Sequence, residues 1–193
     1  MTEKMNAVEI SCRILEEVKD KLSQVDPAQT DALIGAIRQA DRVFVAGAGR
    51  SLLMIRGFAM RLMHLGLTVY VVGETVTPAI TSRDLLIIAS GSGETGTLKV
   101  VAEKAKKHGA RLALITIHPD SSIGALSDLT VTIPAPENKT TRSEKETGSL
   151  QPGGSTFEQG VLVLGDAMII RMLSEMNVES GNSQIMSLHA NLE

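Results

Sequence analysis

The sequence lacks tryptophan and contains one tyrosine and three phenylalanines. Aromatic platforms on which single-stranded bases could stack are therefore scarce. Positive charge does not compensate for them, because 19 lysines and arginines are set against 22 aspartates and glutamates, a net charge of −3. A nucleic-acid partner is thus disfavoured, and the core must be built from aliphatic side chains and methionine.

Cysteine and long apolar runs are also nearly absent. The single cysteine, Cys12, can form no internal disulfide or thiolate cluster, which fits a reducing cytoplasm. We expect Cys12 to be inert packing, because free cysteines are usually buried. No run of about 18 apolar residues occurs, and acidic residues interrupt the N-terminal segment. The sequence predicts a soluble, unexported protein that does not contact a membrane.

The length favours one domain over residues 1–193, which opens with two helices. Apolar residues recur at helical spacing over 6–24 and 27–40. The first helix has an apolar stripe but no strand of its own to cover. We therefore expect the N-terminal helices at 6–40, and the polar tail at 177–193, to contact other subunits.

Short apolar runs follow at regular intervals, each rich in valine, isoleucine or leucine. They cover 42–46, 68–72, 85–89, 112–116 and 129–133. Strands without polar alternation are typical of a sheet covered on both faces. Helices are predicted over 51–65, 77–82, 96–108, 122–127 and 155–176. This alternation predicts an α/β three-layer αβα sandwich with a five-stranded parallel sheet, flavodoxin-like in type.

The segment 135–154 is polar, charge-balanced and punctuated by glycine and proline. We expect it to lie outside the packed core as a long loop. A loop of that length inside a domain is disordered or forms a functional lid. The sequence alone leaves both alternatives open.

Two glycine-rich loops follow predicted strands, where ligands of open parallel sheets bind. The first, Gly-Ala-Gly-Arg-Ser at 47–51, resembles the start of a dinucleotide fingerprint but lacks its third glycine. Nucleotide binding and an ordinary tight turn both remain open for it. The second loop, at 90–97, holds three glycines and four hydroxyl side chains directly before a helix.

The second loop has the chemistry of a phosphate site. Glycines expose consecutive backbone N–H groups, and a helix N-terminus favours an anion. No Gly-Lys-Ser/Thr follows, so triphosphate hydrolysis is disfavoured. A plainer alternative is that Ser92 or Thr95 caps the helix and Glu94 completes a capping box.

Ser-Gly-Ser-Gly-Glu-Thr at 90–95 resembles the phosphate loop of sugar isomerase (SIS) domains. The resemblance continues through the segments 47–51, 61–66, 73–79, 151–159 and 189–193. Together these resemble the 6-phospho-3-hexuloisomerase family over nearly the whole chain. The resemblance implies interconversion of 3-hexulose 6-phosphate and fructose 6-phosphate, in formaldehyde fixation by the ribulose monophosphate pathway. It also implies a homotetramer and functional coupling to 3-hexulose-6-phosphate synthase.

Such a reaction moves a carbonyl between adjacent carbons through a cis-enediolate, so it needs an acid–base pair and no redox cofactor. We expect no cofactor and no metal, because the four histidines are dispersed without ligand spacing. The resemblance implies that the substrate phosphate is held by residues of the two loops. These are Gly49, Ser51, Ser90, Gly91, Ser92, Thr95 and Thr97.

Glu158, His189 and His64 are the catalytic candidates. Glu158 opens the last predicted helix after a glycine-rich segment and is our candidate base, although it could merely favour the helix dipole. His189 resembles the family's terminal histidine and would assist as an acid, from an adjacent subunit. His64 lies among apolar residues, where packing and catalysis both remain open.

Two other functions remain as alternatives. One is a different phosphosugar isomerisation, of arabinose 5-phosphate or sedoheptulose 7-phosphate, because a phosphate loop does not recognise the carbon chain. The other is a non-catalytic sugar-phosphate sensor that uses the same loop.

Overall fold

The computed structural model describes residues 5–137, 149–175 and 187–191. Its helices are α1 (Ala7–Leu22), α2 (Pro27–Gln39), α3 (Gly49–His64), α4 (Gly96–Lys107) and α5 (Ser155–Glu175). Its strands are β1 (Val43–Gly47), β2 (Val69–Val71), β3 (Leu85–Ala89), β4 (Arg111–Thr116) and β5 (Leu129–Thr132).

The strands form one parallel sheet in the order β2-β1-β3-β4-β5. Val43 of β1 pairs with Leu85 of β3, and Leu85 pairs with Arg111 of β4. Every residue of β3 is buried, as expected for a central strand covered on both faces. The predicted three-layer αβα sandwich with a five-stranded parallel sheet is confirmed.

The two N-terminal helices begin where the sequence supplies caps. Asn6 and Glu9 form a capping box at α1, since the Asn6 side chain accepts from the Glu9 N–H and the Glu9 carboxylate accepts from the Asn6 N–H. Asp26 caps α2, and Pro27 occupies the first turn. These polar contacts satisfy N–H groups that a helix start leaves without backbone partners.

The sheet separates two apolar cores. One lies under α2, α3 and α5 and includes Leu33, Phe58 and Val161. The other lies under α4 and includes Leu98 and Ile88. Helix α1 packs on α5 and buries Val18, whereas Val8 and Leu15 stay largely exposed on its outer side.

The segment predicted as a helix over 77–82 is not helical. Its backbone is held instead by side chains, because Arg42 donates to the Ala79 carbonyl and Asp84 accepts from the Thr81 N–H. The predicted helix over 122–127 is reduced to a 3₁₀ turn at Gly124–Leu126. Neither segment forms the predicted α-helix. Six residues are too few for the spacing of apolar side chains to distinguish a helix from a loop.

Two expectations about burial are corrected. Cys12 is exposed, because it lies on the part of α1 that no other described element covers. The segment 135–154 is not wholly outside the core, because Ala135, Ser149 and Gln151 are buried. Residues 138–148 of that segment, and most of the tail 177–193, lie outside the described residues.

No helix among the described residues is both long and apolar enough to cross a membrane. In the same part of the chain, no group of three or more His, Cys, Asp or Glu side chains is arranged to hold a metal ion.

Candidate active site

A cleft opens at the carboxyl ends of β1 and β3, where the order of the strands reverses. This is where ligands of open α/β sheets bind. The cleft has a volume of about 160 Å³. It is lined by Ala48, Ser51, Ala89, Ser90, Gly91, Ser92, Thr95, Leu98, Ile117, Glu137, Gly153, Gly154, Phe157 and Glu158.

The loop after β3 is held in shape by its own polar groups. The Ser90 hydroxyl accepts from the Gly93 N–H at 3.2 Å, and the Ser92 hydroxyl accepts from the Glu94 N–H at 3.2 Å. Both hydroxyls keep their proton for a ligand, because in these bonds they act as acceptors. Gly91 sits so close to Phe157 that a Cβ there would come within 3.3 Å of the ring.

Helix α4 begins at this loop, and Thr95 is its N-cap. The Thr95 side chain makes no capping hydrogen bond, although capping is the usual role of threonine at that position. Glu94 does not complete a capping box either, since its carboxylate accepts from the Ser122 N–H at 2.6 Å. The Thr95 hydroxyl and the first N–H groups of α4 thus remain at the cleft, where the helix dipole favours an anion.

Glu158 lies in the first turn of α5 and reaches the cleft from the other side. Its side chain is 13% exposed and forms an ion pair with Arg50. Arg50 stands in the first turn of α3 and is half exposed. The pair joins the loop after β1 to the helix that carries the candidate base.

Two residues at the site were not predicted from the sequence. The only local signal for Arg50 was a basic side chain inside Gly-Ala-Gly-Arg-Ser at 47–51. Glu137 lines the cleft and pairs with His118 at 2.9 Å. The only sequence signal for Glu137 was its place in the segment 135–154, for which a functional lid was one of two alternatives.

His64 and His189 lie together but away from this cleft. Their rings stack with centroids 5.4 Å apart and an interplanar angle of 18°. His64 ends α3, and at 1.5 Å per residue it stands about 20 Å along the helix from the cleft residue Ser51. In one protomer the two histidines cannot touch a ligand held at the loop 90–95.

His64 is nearly completely buried, and its Nδ1 has no hydrogen-bond partner among the described residues. Burial lowers the pKa of the His64 imidazole, and the charges of Arg61 and His189 add to the effect. The ring is thus held neutral with one buried nitrogen uncommitted. Buried polar atoms rarely lack a hydrogen-bond partner, so a group outside the described residues is expected to contact this nitrogen.

The structure therefore brings together most of the predicted site residues. Ser51, Ser90, Gly91, Ser92, Thr95 and Glu158 all line one cleft. Gly49 and Thr97 are exposed beside it and do not belong to its lining. His64 and His189 form their own pair elsewhere.

Comparisons with known proteins identify relatives of this chain. The SIS domain family matches residues 36–150 of the chain. A 3-hexulose-6-phosphate isomerase of Mycobacterium gastri is 47% identical over 180 residues, 93% of this chain and 88% of that protein. The 3-hexulose-6-phosphate isomerase of Bacillus subtilis (strain 168) is 40% identical over 190 residues, 98% of this chain and 100% of that protein.

One solved structure is similar to this chain in both fold and sequence. It is the crystal structure of a hypothetical protein from Methanococcus jannaschii for which a 3-hexulose-6-phosphate isomerase function is inferred. The two chains are 35% identical and superimpose with a TM-score of 0.77, covering 95% of this chain and 97% of the other.

Proposed function

The chain belongs to the SIS domain family, and on that premise we propose that it is an isomerase that interconverts 3-hexulose 6-phosphate and fructose 6-phosphate. The observation that carries this proposal is the arrangement of the cleft. A cradle of hydroxyl and amide donors at the start of α4 and a carboxylate at the start of α5 face the same space.

The cradle suits a phosphate ester. The hydroxyls of Ser51, Ser92 and Thr95 can donate to its oxygens, together with N–H groups at the start of α4. Hydrogen bonds to a charged acceptor are about twice as strong as those between neutral groups. The phosphate can be held in this way by neutral donors alone, which leaves the rest of the cleft for the carbon chain.

Glu158 is the proton shuttle of the proposed reaction. From fructose 6-phosphate its carboxylate takes the proton on C3 while the electrons of that bond form the C2–C3 double bond and the carbonyl oxygen on C2 becomes the enediolate oxygen. Return of the proton to C2, together with transfer of the O3 proton to the oxygen on C2 through the assisting acid, leaves a hydroxyl on C2 and the carbonyl on C3. Arg50 orients the carboxylate, because the ion pair restricts its position.

His64 and His189 would assist this chemistry from a second subunit. Their distance from the cleft of their own protomer excludes direct help there, and the exposed ring of His189 is open to contact from a neighbouring subunit. We propose a homotetramer in which His189, stacked on the buried His64, approaches the cleft of a neighbour and protonates substrate oxygen. A cytoplasmic location, and supply of the 3-ketose by 3-hexulose-6-phosphate synthase, are parts of the same proposal.

Incubation with fructose 6-phosphate in heavy water tests the reaction. The proposal expects formation of the 3-ketose and deuterium at C3 of recovered fructose 6-phosphate, both followed by NMR. Deuterium at C1 instead would indicate an aldose-forming isomerase. If fructose 6-phosphate binds but yields neither product nor exchange, the result would support the sugar-phosphate sensor and overturn the isomerase.

The carbon-chain specificity needs a separate comparison. Coupled assays with arabinose 5-phosphate and sedoheptulose 7-phosphate should give kcat/KM values far below that for fructose 6-phosphate. A higher value for either of them would reassign the substrate while leaving the phosphate cradle in place.

A further inference from the structure

The carboxylate of Glu17 ties α1 to the segment that leads into the active-site helix. Its Oε2 accepts from the Ser149 hydroxyl at 2.8 Å and from the Gln151 side-chain amide at 3.4 Å. Its Oε1 accepts from the Leu150 N–H at 2.9 Å. One side chain of α1 thus receives donors from three consecutive residues that lie more than 130 positions away.

The segment 149–151 is largely buried and is held by its own hydrogen bonds. Ser149 and Gln151 are 5% and 6% exposed. The Gln151 N–H donates to the Ser149 hydroxyl at 3.0 Å, and the Gln151 side chain donates to the Thr156 hydroxyl at 3.1 Å. Thr156 is itself buried in the first turn of α5. The network therefore runs from α1 through the segment into α5.

This network ends at the residues that shape the cleft. Gly153 and Gly154 line the cleft between the anchored segment and α5, and Phe157 and Glu158 line it directly after Thr156. The Glu158 N–H donates to the Gly154 carbonyl at 3.2 Å. A shift of the segment 149–151 would consequently move the start of α5 and the Glu158 carboxylate relative to the phosphate cradle.

A carboxylate is well matched to this position. The segment presents a backbone N–H, a hydroxyl and a side-chain amide to one point, and an ionised carboxylate can accept from all of them. With the carboxylate removed, buried donors of the segment would lose their partner, and buried donors without partners are unfavourable. The segment would then rearrange toward water.

We propose that Glu17 is a positioning residue for the isomerase site, which acts by holding 149–151 and thereby the place of Glu158. This inference rests on the proposed function for its effect on turnover. The anchoring itself does not depend on that function, and it can be measured separately.

The test compares Glu17→Ala and Glu17→Gln with Glu16→Ala, a control for an exposed carboxylate on the same helix. Glutamine keeps an acceptor for the Leu150 N–H but sets its amide against that of Gln151. We expect kcat to fall about 10-fold or more in Glu17→Ala, because small misplacements of a reacting group are costly. Glu17→Gln should recover part of this loss, and Glu16→Ala should match the wild type.

The split between kcat and KM separates positioning from general damage. The phosphate loop 90–95 is shaped by hydrogen bonds within itself and to the Ser122 N–H, and none of these bonds involves Glu17 or the segment 149–151. KM should therefore stay within about two-fold of the wild-type value. Hydrogen exchange by mass spectrometry should be faster over 149–158 in Glu17→Ala, while β3 and β4 keep the protection of the wild type. Exchange that rises equally throughout the protein would overturn the proposal in favour of a global loss of stability.

The outcomes distinguish the two proposals. Unchanged exchange over 149–158, or faster exchange with unchanged kcat, would each overturn the role of Glu17. A wild type without isomerase activity would overturn the proposed function, and the exchange data would still decide whether Glu17 anchors the segment. Should Glu17→Ala fail to fold, Glu17→Gln provides the same comparison with a smaller expected change.

Discussion

Ser92 offers the most direct test of the phosphate cradle at the scale of single residues. Its hydroxyl lines the cleft and accepts from the Glu94 N–H, which leaves its proton for a phosphate oxygen. Ser92→Ala should raise KM about 5- to 30-fold, because a hydrogen bond to a charged group contributes about 1–2 kcal/mol. Steady-state kinetics measure this change. Ser174→Ala, at the far end of α5, should leave KM unchanged, and an unaltered KM in Ser92→Ala would remove this serine from the site.

Glu158 is tested by an isosteric substitution. Glu158→Gln keeps the shape of the side chain but cannot accept a proton, so kcat should fall about 100-fold or more. Asp166→Asn is the matched control, since Asp166 is exposed on the same helix. Deuterium exchange at C3 should be lost in parallel with kcat. Near-normal turnover would transfer the proton shuttle to another group.

Gly93 is a position where the backbone itself is constrained. Its φ is +61°, and a Cβ there would lie 1.9 Å from the Ser121 hydroxyl oxygen. Gly93→Ala should therefore cost at least about 1 kcal/mol of unfolding free energy from the left-handed backbone alone, and should raise KM by displacing the loop. Gly35→Ala, where an added Cβ would meet nothing within 4 Å, should be neutral or stabilising in urea unfolding. Equal stability of both variants would show that the loop adapts.

At the scale of elements, the strands and long helices were predictable because each carries its own pattern. An uninterrupted run of apolar residues such as 85–89 can be identified as a strand without knowledge of residues distant in sequence. The start of α2 is likewise marked locally, by Asp26 and Pro27. The connection from β2 to β3 was not predictable in this way. It is held by Arg42 and Asp84, which lie outside the segment predicted as a helix.

Asp84 joins several elements at the amino ends of the strands. Its side chain is nearly fully buried and accepts two hydrogen bonds from Arg42, at 2.9 and 2.6 Å, and others from Thr81. Burial alone would raise the pKa of Asp84, but the hydrogen bonds from Arg42 and Thr81 outweigh it and lower the pKa. The carboxylate is thus ionised and fully engaged.

Asp84→Asn should therefore lower the unfolding free energy by about 1–3 kcal/mol, because the part-buried Arg42 guanidinium and the Thr81 N–H lose a charged acceptor. Asp41→Asn is the control, since Asp41 pairs with Arg83 while both side chains remain about half exposed or more; it should change stability far less. Urea unfolding at pH 7 measures both. The kinetic constants of folded Asp84→Asn should remain normal, because the cleft lies at the opposite edge of the sheet, and a similar loss in both variants would contradict the argument.

For the whole molecule, His64 links stability to pH. The pKa of the folded-state imidazole is lowered by burial, whereas in the unfolded chain it is about 6.5. Below that pH the unfolded chain binds more protons than the folded chain, so stability is lost as the pH falls from about 6.5 toward the folded-state pKa. The slope contributed by one such group is at most about 1.4 kcal/mol per pH unit.

Unfolding at fixed protein concentration between pH 5 and 8 tests this linkage, since concentration alters the stability of any assembly. His64→Gln should flatten the dependence below pH 6.5, while His108→Gln, at the exposed end of α4, should retain it. A slope that persists in His64→Gln would assign the acid sensitivity to other groups.

The amino-acid sequence by itself determined the alternation of strands and helices and the composition of the phosphate loop, because both depend on neighbours within a few residues. Only the tertiary structure decided which distant side chains meet. Arg50 pairs with Glu158, 108 positions away, and the Glu17 carboxylate accepts a hydrogen bond from the Leu150 N–H, 133 positions away. Such contacts depend on how helices pack over the sheet, and no local periodicity records that packing. His64 shows the same dependence on tertiary structure. Its helix, α3, begins beside the cleft, but His64 lies at the other end of that helix.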